Sequence, residues 1–182
     1  MKVVPTNVND VLIVESKVFD DDRGFFTEVF HHGNFAALNL PTNFVQDNHS
    51  RSHNNVLRGL HFQREQPQGK LVRVVRGTIF DVAVDLRRSS STFGKWCGVS
   101  LEAGDGRQLW IPPGFAHGFL VLSHEADVSY KCTTVYHHAS HCSLLWNDPV
   151  IGIEWPISPG VAPLLSGNDA DATPFSSIHT FP

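Results

Sequence analysis

At 182 residues, with 41% hydrophobic and 18% charged side chains, the chain has the make-up of one soluble globular domain, 1–182, large enough for a real core. A net charge of −4 gives no basic field, which argues against nucleic acid as a partner. Cys97, Cys132 and Cys142, an odd count with no C-x-x-C pair, argue against a disulfide framework or zinc knuckle and favour reduced thiols in the cytoplasm.

Taken in order, the N-terminus carries no apolar stretch longer than Val11-Leu12-Ile13-Val14, too short for a secretion signal or a membrane span. Strands are predicted near 11–18, 24–30, 44–50, 56–63, 70–76, 78–86, 95–101, 107–111, 117–122, 126–135 and 143–147, from short runs rich in Val, Ile, Phe and Thr between Gly, Pro, Asn and Asp. His31 to Leu38 is the only helical stretch. Arg76-Gly77-Thr78, between two strong strands, predicts a tight hairpin, and Pro112-Pro113-Gly114 a rigid entry into Phe115-Ala116-His117-Gly118-Phe119. After Trp155-Pro156 the chain turns rich in Pro, Gly and Ser, so 157–182 reads as an irregular segment packed over the rest. Many short strands with regular turns indicate an all-β fold, a jelly roll before a sandwich or barrel of another kind.

Thirteen Phe and four Trp suggest an aromatic interior suited to a sugar or a base, and eleven His ask whether a metal is involved. His61 and His117 are expected at strand ends, with His49 and His53 flanking a loop. A metal-binding jelly roll would place two histidines one residue apart on a strand, yet Gly59 and Gln63 stand two residues either side of His61. The spacing argues against metal. For acid–base chemistry His61 is the candidate base, since neutral imidazole is available near pH 7. Tyr130, inside a strand, is a candidate acid or a core aromatic. Lys70 is a candidate for stabilising negative charge, or a surface lysine at a strand start. Arg23 reads as a turn salt bridge, whereas Arg58 in an apolar strand needs an anionic partner. In a regular strand residues 58 and 61 face opposite sides. Either a bulge at Gly59 restores a shared face, or Arg58 serves a neighbouring subunit.

Several segments together resemble one family. Asp20-Asp21-Asp22-Arg23-Gly24-Phe25-Phe26, Phe44 to Ser50, Leu57-Arg58-Gly59-Leu60-His61-Phe62-Gln63, Gln68 to Arg73, Phe93 to Trp96, Gln108 to Pro112, Gly114 to Phe119, Trp146-Asn147-Asp148 and Gly152 to Pro156 follow, in order, the pattern of dTDP-4-dehydrorhamnose 3,5-epimerases. The resemblance runs from about residue 3 to about 170. It implies a cupin-like jelly-roll homodimer, free of metal and cofactor, that acts on a dTDP-4-keto-6-deoxysugar in rhamnose synthesis. It also implies His61 as base, Tyr130 as acid and Asp169 as the carboxylate that orients His61 and raises its basicity. Arg23, Glu28, Gln46, Asp47, Asn48 and Arg58 match nucleotide and diphosphate contacts, Lys70 and His117 sugar and phosphate contacts, and Tyr136 the side chain stacked on thymine. Two positions depart from the pattern: Asn168 stands where a lysine is frequent, and His141 where an acidic residue is frequent. A mono-epimerase of a related sugar, a non-catalytic sugar-binding jelly roll and a metal cupin are the alternatives.

Overall fold

The computed structural model describes residues 1–182, and its architecture is two facing antiparallel sheets with a small hairpin beside them. The strands are β1 (Lys2–Pro5), β2 (Leu12–Glu15), β3 (Val18–Asp21), β4 (Gly24–Thr27), β5 (Gln46–His53), β6 (Leu57–Gln63), β7 (Lys70–Arg76), β8 (Thr78–Asp85), β9 (Trp96–Glu102), β10 (Arg107–Ile111), β11 (Phe115–Val121), β12 (Glu125–Cys132) and β13 (His141–Ser143). Two short helices, α1 (His32–Ala37) and α2 (Gly167–Ala170), complete the regular elements together with two 3-10 turns. One sheet runs β1-β2-β10-β7-β12-β5 and the other β13-β6-β11-β8-β9. This is the all-β jelly roll expected from the strand pattern.

Period-two alternation explains the layering. Positions 72 and 74 of β7, 79 and 83 of β8, 115, 119 and 121 of β11, and 126 and 128 of β12 point between the sheets and form the central core. Leu60 and Phe62 of β6, Val82 and Val84 of β8 and Ala116 of β11 point the other way, where Trp155, Phe175 and Phe181 of the C-terminal segment cover them. The outer face of the six-stranded sheet buries Val14, Leu71 and Trp110 beneath Phe35 of α1. Each sheet therefore has both faces covered over much of its area.

Four expectations need correction. Arg76-Gly77-Thr78 is not a hairpin, because β7 and β8 belong to opposite sheets and the chain crosses between them there. Gly77 has φ of 76°, and a Cβ on it would lie 2.1 Å from the Glu125 carbonyl oxygen. The stretch 11–18 is broken: β2 enters the large sheet, while Val18 begins a hairpin with β4. Of 143–147 only Ser143 is in a strand, and β1 was not foreseen. His61 and His117 are not at strand ends but opposite one another within β6 and β11, while His49 and His53 lie exposed on β5.

The break that positions the site is in β6. His117 pairs with His61 and Phe119 with Arg58, so Gly59 and Leu60 together oppose the single residue Gly118. This is the bulge geometry, two residues against one. Gly59 adopts φ of 110°, and a Cβ there would approach Gly118 Cα and the His117 carbonyl oxygen to 2.6 Å. Glycine is the residue that fits. The bulge turns Arg58 and His61 onto one face, and Arg58 Nε reaches across to Ser52 Oγ of β5 at 2.8 Å.

Candidate active site

A cavity of about 290 Å³ is lined from both sheets by Gln46, Asn48, His61, Lys70, Tyr130 and Tyr136, with Gln63, Gln68, Phe62 and His141. That volume is near the lower end of the roughly 300–1,000 Å³ of ligand pockets. A ligand larger than the cavity would extend outward past Tyr136, which is exposed at the rim.

His61 comes from the five-stranded sheet, and its Nε2 lies 2.5 Å from Asp169 Oδ1. Asp169 is buried, and its other oxygen accepts from Ser166 Oγ at 2.8 Å. Ser166 also caps α2, accepting the Asp169 N–H at 3.2 Å. Burial raises the Asp169 pKa, but the His61 contact, Ser166 and the Gly59 N–H outweigh it and hold the group below the ordinary carboxylate value. An ionised carboxylate only accepts, so Nε2 carries the proton and Nδ1 is left as the basic nitrogen.

Tyr130 stands on β12 of the opposite sheet, so it meets the cavity from the other side. Burial raises its pKa, which keeps the phenol protonated. Lys70 opens β7 and is buried, its Nζ 3.4 Å from the His61 carbonyl oxygen. Burial lowers its pKa, opposed by the nearby Asp81 carboxylate. Beneath them His117 Nε2 lies 2.7 Å from Asp81 Oδ1, both side chains being buried. Burial lowers the His117 pKa more than Asp81 raises it. Gln63 spends its amide on the Gln66 carbonyl oxygen and the His137 N–H, so it acts as a strut for the cavity wall.

The structure brings His61, Asp169, Tyr130, Lys70, Gln46, Asn48 and Tyr136 together, with His117 directly behind His61. It does not place the other four in the cavity wall. Asp47 alternates with its inward neighbours and pairs with Lys131 at 3.0 Å on the outer face. Arg58 lies at the cavity's flank, bonded to Ser52. Arg23 and Glu28 lie on or just after the β3–β4 hairpin, Arg23 bound to Asp21 and Glu28 to Asn34. Two supporting residues escaped the sequence reading. Ser166 was legible as the Ser-x-x-Asp helix start over 166–169; Asp81, an acid within an apolar strand, offered only its position as a signal.

Fold and site together set an imidazole hydrogen-bonded to a carboxylate across from a phenol on the opposing sheet, with a buried lysine lining the same cavity, an arrangement suited to acid–base chemistry. The profile of the dTDP-4-dehydrorhamnose 3,5-epimerase family matches residues 5–177. The dTDP-4-dehydrorhamnose 3,5-epimerase of Escherichia coli K12 is 57% identical over 171 residues, covering 93% of this chain and 91% of its own. That of Pseudomonas aeruginosa is 50% identical over 183 residues, covering all of both. The crystal structure of the Legionella pneumophila dTDP-6-deoxy-D-glucose-3,5-epimerase in complex with dTDP-4-keto-L-rhamnose superposes with a TM-score of 0.93 at 47% identity, covering 98% of this chain and 94% of that one. The chain belongs to the dTDP-4-dehydrorhamnose 3,5-epimerase family and is an isomerase.

The hydrogen bond at Asp169 generates a kinetic expectation. Asp169→Asn is expected to leave substrate binding nearly unchanged and to lower kcat by about tenfold or more, the scale of a general-base contribution. Steady-state kinetics on the variant check it; an unchanged kcat would show that the carboxylate does not tune His61.

Proposed function

We propose that the chain inverts carbons 3 and 5 of dTDP-4-dehydro-6-deoxy-D-glucose, giving dTDP-4-dehydro-L-rhamnose, with His61 as base and Tyr130 as acid. The observation that carries this reading is their origin on opposite sheets across one cavity. The hydrogens on both carbons are alpha to the 4-keto group. His61 Nδ1 removes one, the electrons move into the carbonyl to give an enolate, and the buried Lys70 ammonium stabilises the oxygen. Tyr130 then delivers a proton to the opposite face, which inverts the carbon. Asp169 holds the tautomer that leaves Nδ1 free. Gln46, Asn48 and Lys70 in the cavity wall hold the sugar and diphosphate, with Arg58 joining from the cavity's flank and His117 acting from behind His61, and Tyr136 stacks on thymine at the rim.

We further propose that the active unit is a homodimer. The β3–β4 hairpin exposes Phe19, Phe25 and Phe26, more than half of each ring residue being open to solvent. Such a cluster on a two-stranded ribbon favours burial against a second copy. There the hairpin would carry Arg23 and Glu28 towards the partner's substrate, which accounts for their distance from the cavity of their own chain. Asp47, on the outer face, keeps only an indirect part, through its neighbours Gln46 and Asn48. No helix is long and apolar enough to cross a membrane. The three free cysteines support a reducing compartment such as the cytoplasm.

Two measurements test these readings. In heavy water, NMR of the sugar nucleotide should show deuterium at carbons 3 and 5. Tyr130→Phe should still wash label into unchanged substrate while forming inverted product far more slowly, and His61→Asn should lose both. Label at one carbon alone would make the enzyme a mono-epimerase, and inversion at the wild-type rate by Tyr130→Phe would remove Tyr130 as the acid. Sedimentation equilibrium should give a mass of about twice the 20.2 kDa chain; a single-chain mass at working concentration would contradict the dimer.

A further inference from the structure

Asp148 lies outside the cavity wall and has no part in the acid–base scheme, yet its side chain is buried. Its Oδ1 accepts the Val150 N–H at 2.9 Å and the Ile151 N–H at 3.3 Å, which closes a turn in its own segment. Its Oδ2 accepts the Phe175 N–H of the C-terminal segment at 2.8 Å, 27 positions away. One carboxyl group thus serves both a local turn and the tail that carries Asp169. Backbone N–H groups are its only donors, so its bonds fix the course of the main chain.

Asp169 sits on α2, a single turn of four residues. A helix that short has no stability of its own, because nucleation is unfavourable. Its place is inherited from the chain on either side. Upstream, Leu164 bridges to Val56, and the Leu57 N–H bonds the Leu164 carbonyl oxygen at 3.0 Å. Downstream, Thr173 bridges to Leu144, with the Leu145 N–H on the Thr173 carbonyl oxygen and the Thr173 N–H on that of Ser143, both at 2.9 Å. Ser143 in turn pairs with His61 across β13 and β6, so this anchor adjoins the base itself. Pro174, with φ of −62°, leads stiffly from Thr173 to Phe175, whose N–H Asp148 holds. Asp148 therefore sets the direction in which the chain leaves the Thr173 anchor.

We propose that Asp148 is a positioning residue for the reaction: through the Phe175 N–H it straps the tail to segment 143–148 and so holds Asp169 on His61. It acts only through Asp169. The inference rests on the epimerase reading and deepens it, since it names what keeps the base's carboxylate in register. Without the Oδ2 acceptor, the Phe175 N–H must turn to water for a partner, and the strap lifts. Hydrogen bonds weaken steeply outside a narrow range of distance and angle, so a small displacement of α2 is enough to part Asp169 from His61 Nε2. Gln46, Asn48 and Lys70 stand on β5 and β7, away from the tail, so the loss falls on turnover and spares affinity.

The test is a double-mutant cycle between Asp148 and Asp169. Asp148→Ser keeps a hydroxyl that can accept the Val150 N–H in the turn and removes the acceptor of the tail. Alone, it is expected to lower kcat about fivefold, the scale of one lost hydrogen bond, with KM nearly unchanged. In the Asp169→Asn background it should lower kcat by less than about twofold, because the partner it positions is already gone. A second readout needs no turnover: the His61 Nε2 proton, shifted downfield by its bond to Asp169, should exchange faster with solvent in Asp148→Ser. Should that variant not fold, Phe175→Pro, which lacks the N–H, is compared with Phe175→Ala, which keeps it while losing the same ring; the proline variant should be the more impaired by both readouts. An equal fall in kcat in both backgrounds, an unchanged His61 proton, or equal behaviour of the two Phe175 variants would show that Asp148 serves stability alone and overturn the inference, leaving the epimerase reading standing. Wild-type protein that neither labels nor inverts the sugar nucleotide would overturn the epimerase reading, while the His61 proton still decides the inference.

Discussion

The site depends on one hydrogen bond between residues 108 positions apart, from His61 on β6 to Asp169 in the C-terminal segment. A buried carboxylate without a partner is costly, because desolvation disfavours its charge. Here the charge is kept by three donors: the imidazole, the Ser166 hydroxyl and the Gly59 amide. The same contacts fix the tautomer of the base. Folding the tail against β6 and fixing the His61 tautomer are thus one event, and the bridge of Val56 to Leu164 and the Leu57 N–H bond to the Leu164 carbonyl hold the two segments side by side nearby.

The second constraint is the division of labour between sheets. Inverting a carbon demands a donor and an acceptor of protons on opposite faces of a planar enolate. A single strand or loop presents groups from one side; two facing sheets present them from both. The bulge at Gly59 and Leu60 turns His61 and Arg58 onto the inner face together, while Tyr130 and Lys70 follow the ordinary alternation of β12 and β7. Burial then acts on the groups in different directions. It keeps the phenol protonated, eases the ammonium towards deprotonation, and leaves His117 neutral beside Asp81.

Much of this was legible in the sequence, and the reasons differ by element. Strands such as Thr78–Asp85 and Phe115–Val121 show in their apolar runs because both faces are covered, so period two is masked by burial yet length and turns remain. Arg58 and His61 read as incompatible on a regular strand, and only the glycine between them hinted at the bulge. The supposed hairpin at Gly77 failed because a positive-φ glycine serves a crossover between sheets as well as a reversal. Asp169 had no local signal of catalysis, since its place arises from tail packing; only the family resemblance marked it. The outward turn of Asp47 follows from alternation once β5 is placed, but the sequence alone does not say which of 46, 47 and 48 points inward.

The central claim, that Asp169 fixes His61 with its proton on Nε2, is tested most directly by NMR of protein labelled with nitrogen-15 in histidine. Near pH 7 the His61 ring should show a protonated Nε2 with a slowly exchanging, strongly downfield proton, and a bare, basic Nδ1. In Asp169→Asn that downfield proton should vanish. A wild-type His61 with its proton on Nδ1 and a bare Nε2 would contradict the account.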